Sequence, residues 1–437
     1  MSSAKPALVQ TECRDGVLLV TVDNPPVNAL GVDVRRGLAE AIAAAQSDDA
    51  VQAVLLLGAG SLFLGGADIR EFGKPPMSPG LPEVCDAIEA SAKPVVAAIR
   101  GAALGGGLEV AMAAHYRLAT ADAQLGLPEV LLGLLPGAGG TQRTPRLIGV
   151  KAALDMMTTG RRVGAKEALA LGLVDKLVDD ATADGLAYAK ELAASKAAPR
   201  RSRDASAALA DRDANRAALD TARSDVAKKS RGLISPQKIV EAVEAVLDRP
   251  YAEGAKLERE LFQQCLTSPQ HKGLAHVFFA EREVAKVPEA KAAKPRAIER
   301  AGIVGGGTMG AGIAVSMLDA GLTVTMVERD DASLARGRAN VEKVYDGLIK
   351  KGRMDADGKA RVMARFDGAT AYDAFKDADL VVEAVFEEMG VKKAVFAELD
   401  RVCKPGAVLA TNTSYLDIDE IAASISRPAD VIGLHFF

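Results

Sequence analysis

Ala301-Gly302-Ile303-Val304 runs without a break into Gly305-Gly306-Gly307-Thr308-Met309-Gly310, and this junction restricts the fold more than any other stretch of the chain. A short apolar run is read as a strand, and the G-x-G-x-x-G spacing turns it into a helix within a few residues. The first glycine permits the tight turn, Gly307 lets backbone come close to a ligand, and Gly310 lets helix and strand pack closely. The following AGIAVSMLDAG reads as a helix that ends at Gly321. Further apolar runs, LTVTMVER, ADLVVEAV and GAVLATN, alternate with helical segments, which predicts a doubly wound parallel sheet from Ala297 onward. N–H groups at the helix N-terminus suit a pyrophosphate. Glu328 closes the second strand, where an acidic side chain can accept from a ribose 2′-hydroxyl. That favours NAD over NADP, a preference weakened by Arg329 next to it. Gly305, Gly307, Thr308, Met309, Gly310 and Glu328 are therefore the expected cofactor contacts.

The amino-terminal part has its own α/β texture. GVLLVTVDN, Gly16 to Asn24, and Val51 to Leu57 read as strands around an Ala-rich helix, Val34 to Ala45, and PVVAAIR, Pro94 to Arg100, reads as a third buried strand. A glycine cluster, the helix-like LEVAMAAHYRLA and the turn-rich GLPEVLLGLLPGAGG follow. We place this domain at residues 1–188. Residues 189–296 are rich in Ala, Lys, Arg, Asp and Glu and read as a helical linker. Apolar residues three and four apart in its later part predict that those helices pack on a domain. PEAKAAKPR, Pro288 to Arg296, is the expected joint, and residues 297–437 form the last domain. We find no internal repeat.

A net charge of -4 provides no basic excess for a nucleic-acid backbone. The four cysteines, Cys13, Cys85, Cys265 and Cys403, lie far apart without a C-x-x-C pair, which suits a reducing compartment. No targeting h-region or bilayer-length apolar stretch is present, so neither secretion nor membrane insertion is expected. His271 and His276 are five apart, off the i,i+4 face of a helical metal pair, and His115 stands alone, so no metal is assigned.

Between residues 101 and 129 two carboxylates stand beside glycine turns. Gly101-Ala102-Ala103-Leu104-Gly105-Gly106-Gly107-Leu108-Glu109 sets a loop at a helix start, and Gly65-Gly66-Ala67-Asp68 offers a second turn. One N–H from each would make an oxyanion hole for a thioester carbonyl, and Glu109 and Glu129 could flank the neighbouring carbons. Spacing alone leaves both glutamates open to a plainer reading as solvated or capping groups.

IRGAALGGGLE, GGADIREF and GLPEVLLGLLPGAGGTQRTPRLIG resemble the crotonase, or enoyl-CoA hydratase/isomerase, family over roughly the first 190 residues. The resemblance implies a ββα spiral fold, oxyanion-hole N–H groups from Ala67 and Gly106, and a CoA site lined by Ala67, Asp68, Ile69 and Arg70. It also implies hydration of a trans-2-enoyl-CoA, with Glu109 activating water and Glu129 giving a proton to C2. Shift of a 3-enoyl double bond by the same site is a further possibility. An isomerase-only enzyme, a thioester hydrolase and a binding scaffold without chemistry are the competing readings; the presence of both glutamates argues against the first two.

IVGGGTMGAGIA, DLVVEAVFE, LATNTSYLDIDEIA and VIGLHFF resemble the NAD-binding half of 3-hydroxyacyl-CoA dehydrogenases, a Rossmann-type domain. Hydratase followed by this domain is the order of bifunctional β-oxidation enzymes. The resemblance implies His435 as base, Ser414 and Asn412 orienting the substrate oxygen, and Glu387 and Lys392 beside NAD. The sequence stops at Phe437, before the glutamate and the helical domain that follow in that family, so the chain is expected to bind NAD yet oxidise 3-hydroxyacyl-CoA poorly. We expect a monomer, cytoplasmic if bacterial and peroxisomal if eukaryotic.

Overall fold

In the computed structural model, which describes residues 7–284 and 286–437, the apolar runs become the central strands of two sheets. Each sheet belongs to one of two units, Met1–Val287 and Pro288–Phe437.

The first unit starts with β1 (Val9–Arg14) and β2 (Val17–Val22), followed by α1 (Val32–Ser47), β3 (Ala53–Gly58), α2 (Leu81–Ala90) and β4 (Val95–Ile99). Then come β5 (Ala102–Leu104), α3 (Gly106–Ala113), β6 (Tyr116–Thr120), β7 (Gln124–Gly126), α4 (Gly140–Thr159), β8 (Arg162–Gly164), α5 (Ala165–Leu171), β9 (Lys176–Val178) and α6 (Ala181–Ala194). The six-stranded sheet has the order β1-β2-β3-β4-β6-β9 and is parallel except for the β1–β2 hairpin. Residues Val95 to Ile99 are buried throughout, as a parallel strand covered on both faces must be. By contrast β1, VQTECR, is an edge strand with five of six residues exposed, and the sequence reading missed it because it carries no apolar run. A second sheet, β5-β7-β8, is built from three-residue strands too short to show periodicity. The succession β4, β5, α3 and then β6, β7, α4 is the ββα spiral anticipated from the sequence.

Helices α7 (Arg212–Lys229), α8 (Ser235–Asp248), α9 (Tyr251–Leu266) and α10 (Pro269–Val284) follow. They lie within the first unit. Leu219, Val226, Ile239, Val243, Leu261 and Cys265 share one core cluster with Val54 of β3 and Val95 of β4. Residue 188 is thus no break between bodies; the break falls between Val287 and Pro288.

The second unit contains β10 (Arg300–Val304), α11 (Thr308–Asp319), β11 (Thr323–Val327), α12 (Asp331–Lys350), α13 (Ala356–Met363), β12 (Phe366–Ala369), β13 (Leu380–Glu383), α14 (Met389–Val402), β14 (Val408–Thr411), α15 (Ile418–Ala422) and β15 (Val431–Gly433). Its sheet is wholly parallel in the order β12-β11-β10-β13-β14-β15. The chain moves outward from β10 in both directions, the doubly wound topology whose crevice at the strand carboxyl ends takes ligands. No described helix is long and apolar enough to cross a membrane.

Two glycines test the packing of the connector helices. A Cβ on Gly254 would run into Gln142 Oε1, and Gln142 is buried and held by the Ala242 carbonyl at 2.8 Å. Gly273 on α10 has open space around it. Gly254→Ala should lower stability to denaturant by about 1–3 kcal/mol, whereas Gly273→Ala should raise it by up to about 1 kcal/mol through helix propensity.

Candidate active site

Strand pairing brings the two glutamates together across twenty residues of sequence. β5 pairs with β7 in the register Leu104↔Gly126, so the glycine turn after β5 and the Leu127-Pro128-Glu129 turn after β7 emerge side by side. Gly105, with φ 52°, makes the turn into α3, and a Cβ there would lie 3.1 Å from Glu129 Oε1. The isolated bridges Leu64↔Ala103 and Leu30↔Ala67 place the 64–67 loop against the same edge.

Glu109 is the one charged residue of α3, whose eight residues are all buried. Its Oε1 accepts the N–H groups of Ala138 (2.7 Å) and Gly140 (2.8 Å), and Oε2 has no partner among the described residues. Gly140 has to be glycine here, because a Cβ would stand 2.8 Å from Glu109 Oε1. Burial raises the Glu109 carboxyl above the usual range, against the pull of the two amides. Glu129 is raised much further, first by burial and then by the charge of Glu109. Its Oε2 is buried without a hydrogen-bond partner in the described structure. Of two such carboxyls, Glu109 is the one set up to be ionised and Glu129 the one to hold a proton.

Both line a cavity of about 690 Å³ together with Gly65, Gly66, Ala67, Gly105 and Gly106. A Cβ on Gly106 would lie 3.2 Å from the Ala67 nitrogen, so the two turns approach closely. Neither the Ala67 nor the Gly106 N–H donates to a group in the described structure, as expected for Gly106 in the first turn of a helix. Asp68 and Ile69 also line the cavity. Arg70 does not: its guanidinium folds back onto Asp68 at 2.8 and 2.9 Å. Besides Arg35, which pairs with Glu71 at 2.6 Å, the cavity has three cations that the sequence reading did not single out: Lys74, Arg259 of α9 and Lys272 of α10. None of the three has a carboxylate partner among the described residues.

A third buried carboxylate, Glu258 of α9, was also missed. It is 1% exposed, accepts from Gly139 and Thr141, and is raised to about 7 by burial and by Glu109. A signal existed. The buried face of α9 is Gly254, Glu258, Leu261 and Cys265, so a carboxylate sits within an apolar helical stripe. Two of the three histidines set aside in the sequence are pins: His115 Nδ1 accepts from the Val95 N–H at 3.0 Å, and His271 Nδ1 meets the Leu132 carbonyl at 2.8 Å, while His276 is exposed.

In the second unit Gly305, with φ 96°, turns the chain from β10 into α11. A Cβ on Gly310 would strike the Gly305 carbonyl, so helix and turn pack directly. A Cβ on Gly307 would meet nothing within 4 Å, and the N–H groups of Gly307, Thr308 and Met309 have no partner among the described residues. Glu328 Oε1 accepts from the Gly306 N–H at 2.7 Å, which fixes the acid at the edge of this opening.

At the carboxyl ends of β13 and β14, Glu387 accepts from the Thr413 hydroxyl (2.6 Å) and the Ser414 N–H (2.7 Å). Lys392, buried, bridges Glu383 at 2.8 Å and Glu387 at 3.1 Å. Burial opposes ionisation of Glu387, but Thr413, Ser414 and Lys392 together outweigh it and hold the carboxyl down at about 2. Ser414 Oγ lies 3.1 Å from His435 Nε2, and Asn412 Oδ1 accepts from the Phe436 N–H at 2.7 Å. The Asn412 N–H donates to the Glu383 carbonyl at 2.9 Å, so the eight residues named at this end form one connected group.

Comparison with known proteins agrees with this division. Residues 12–231 match the enoyl-CoA hydratase/isomerase family, and residues 300–437 match the 3-hydroxyacyl-CoA dehydrogenase, NAD binding domain. The peroxisomal bifunctional enzyme of Danio rerio is 44% identical over 97% of this chain and 59% of its own length. That of Homo sapiens is 42% identical over 98% of this chain and 60% of its own. A solved enoyl-CoA hydratase/isomerase from Pseudoalteromonas atlantica is 26% identical, covering 63% of this chain and 97% of that one with a TM-score of 0.47. The chain spans about three fifths of the length of these curated relatives.

The Glu387 cluster carries its own test. A carboxyl depressed on folding stabilises above its unfolded pKa and loses that contribution as pH falls through its folded value. Wild type should therefore exceed Glu387→Gln by about 1–3 kcal/mol near neutrality. The gap should close as pH falls from about 4.5 towards 2. Hydrogen exchange in residues 380–414 reads it.

Proposed function

Because the chain belongs to the enoyl-CoA hydratase/isomerase family and its second unit to the NAD-binding domains of 3-hydroxyacyl-CoA dehydrogenases, we propose a β-oxidation enzyme that hydrates trans-2-enoyl-CoA. The resulting 3-hydroxyacyl-CoA is then the substrate class for oxidation at the second unit. One observation carries the first step: a buried, unpartnered carboxyl oxygen of Glu129 faces the same cavity as Glu109 and two undonated amides.

In this reading the thioester oxygen accepts from the Ala67 and Gly106 N–H groups, which polarises the enoyl system and stabilises the enolate. Glu109, with Oε1 held by two amides, uses Oε2 to take a proton from water as that oxygen attacks C3. Glu129 gives its proton to C2. One proton is taken and one given, and exchange through solvent resets the pair. The same Glu129 carboxyl, able to give and take a proton, supports isomerisation of a 3-enoyl-CoA as a second activity. Lys74, Arg259 and Lys272 are suited to the phosphates of CoA, with Ala67, Asp68 and Ile69 along the same wall. Since α8 and α9 bury their apolar faces within the first unit, we favour a monomer.

The second unit fits NAD: open space at Gly307, undonated N–H groups on Gly307, Thr308 and Met309 for a pyrophosphate, and Glu328 for a ribose hydroxyl. NAD, when bound, supplies the hydride acceptor. His435 takes the 3-hydroxyl proton, Ser414 and Asn412 orient that oxygen, and Lys392 and Glu387 border the cofactor.

Glu109→Gln and Glu129→Gln should each cut hydration of crotonyl-CoA, followed by loss of enoyl absorbance, by about 10²–10⁴-fold. Full activity in either variant would contradict the assignment. Hydration should fall at low pH as Glu109 is protonated. It should fall at high pH as Glu129 ionises, that limb lying well above the ordinary carboxylate range because Glu129 is strongly raised.

A further inference from the structure

Four consecutive N–H groups, from Ala138 to Thr141, turn alternately to two buried carboxylates. Ala138 and Gly140 donate to Glu109 Oε1 at 2.7 and 2.8 Å. Gly139 donates to Glu258 Oε1 at 2.6 Å, and Thr141 donates both its N–H and its hydroxyl to Glu258 Oε2, at 2.8 and 2.5 Å. The Ala138 carbonyl accepts from Arg143 Nη1 at 2.9 Å. The segment is therefore clamped from both sides, one side by α3 and the other by α9.

Glu258 is not among the residues lining the cavity, so it reaches substrate only through that segment. We infer that Glu258 is a positioning residue for hydration: it holds residues 138–141 from behind, so that two amides fix Glu109 Oε1 and leave Oε2 aimed at the attacking water. The inference rests on the hydratase reading and extends it to a helix outside the stretch that carries the family motifs. Misplacement of a base by a fraction of an ångström slows proton transfer without loosening substrate. Glu258 also adds negative charge near Glu129. The ionisable groups around it are Glu109 of α3, Glu129 of the turn after β7, Tyr251 of α9 and Arg143 of α4.

The test compares wild type with Glu258→Gln in crotonyl-CoA hydration across pH, with thermal melting alongside. Gln keeps the shape and one acceptor oxygen but loses the charge. We expect kcat to fall about 10–100-fold with KM within about twofold. The alkaline limb should move to lower pH, because Glu129 ionises sooner once a neighbouring negative charge is gone. An unchanged kcat and profile would overturn the inference, as would a lower melting temperature with kcat reduced only by the unfolded fraction and an unmoved limb. If Glu258→Gln does not fold, Thr141→Val decides: a several-fold loss in kcat at constant KM supports the clamp, and wild-type kcat overturns it. Absence of hydration in wild type itself would instead strike the underlying reading, and the inference with it.

Discussion

Two carboxyls buried in one cavity cannot both ionise cheaply, and the first unit is arranged around that constraint. Glu109 is given amides, which lower the cost of its charge; Glu129 is given none on Oε2 and stays raised. Such asymmetry is what the proposed division into a base and an acid needs. It also dictates the surroundings. Gly105 and Gly140 lack side chains because a Cβ at either position would crowd one of the carboxylates, and the 138–141 segment has to be held still.

The cost of gathering these groups is met by packing. Val95 to Ile99 and all of α3 are buried, so Glu109 projects from an immobile element. Connector helices α7 to α9 complete the same core, and α9 and α10 bring Glu258, Arg259 and Lys272 to the site or its rim. The first unit is therefore larger than its motifs.

Legibility in the sequence followed burial and local spacing. Val51 to Leu57 and Pro94 to Arg100 were readable because a parallel strand buried on both faces is continuously apolar, and residues 301–310 were readable because strand, turn and helix are contiguous. The edge strand VQTECR and the three-residue strands of the small sheet have no such pattern, since backbone pairing holds them rather than apolar faces. Glu109 and Glu129 could be named from family motifs. Their meeting depends on the Leu104↔Gly126 register, which no local pattern contains. Glu258 escaped because its partners lie 117 and 119 residues away, although its place in the buried stripe of α9 was visible.

The proposed hydration requires that Glu129 carry a proton at neutral pH while Glu109 does not. Infrared difference spectra at neutral pH between wild type and Glu129→Gln test this directly. A protonated-carboxyl band of wild type should be lost in Glu129→Gln and persist in Glu109→Gln, apart from the band of Glu258, whose carboxyl is raised to about 7 and which Glu258→Gln removes. Loss of a carboxylate stretch in Glu129→Gln, with the protonated-carboxyl bands unchanged, would contradict it.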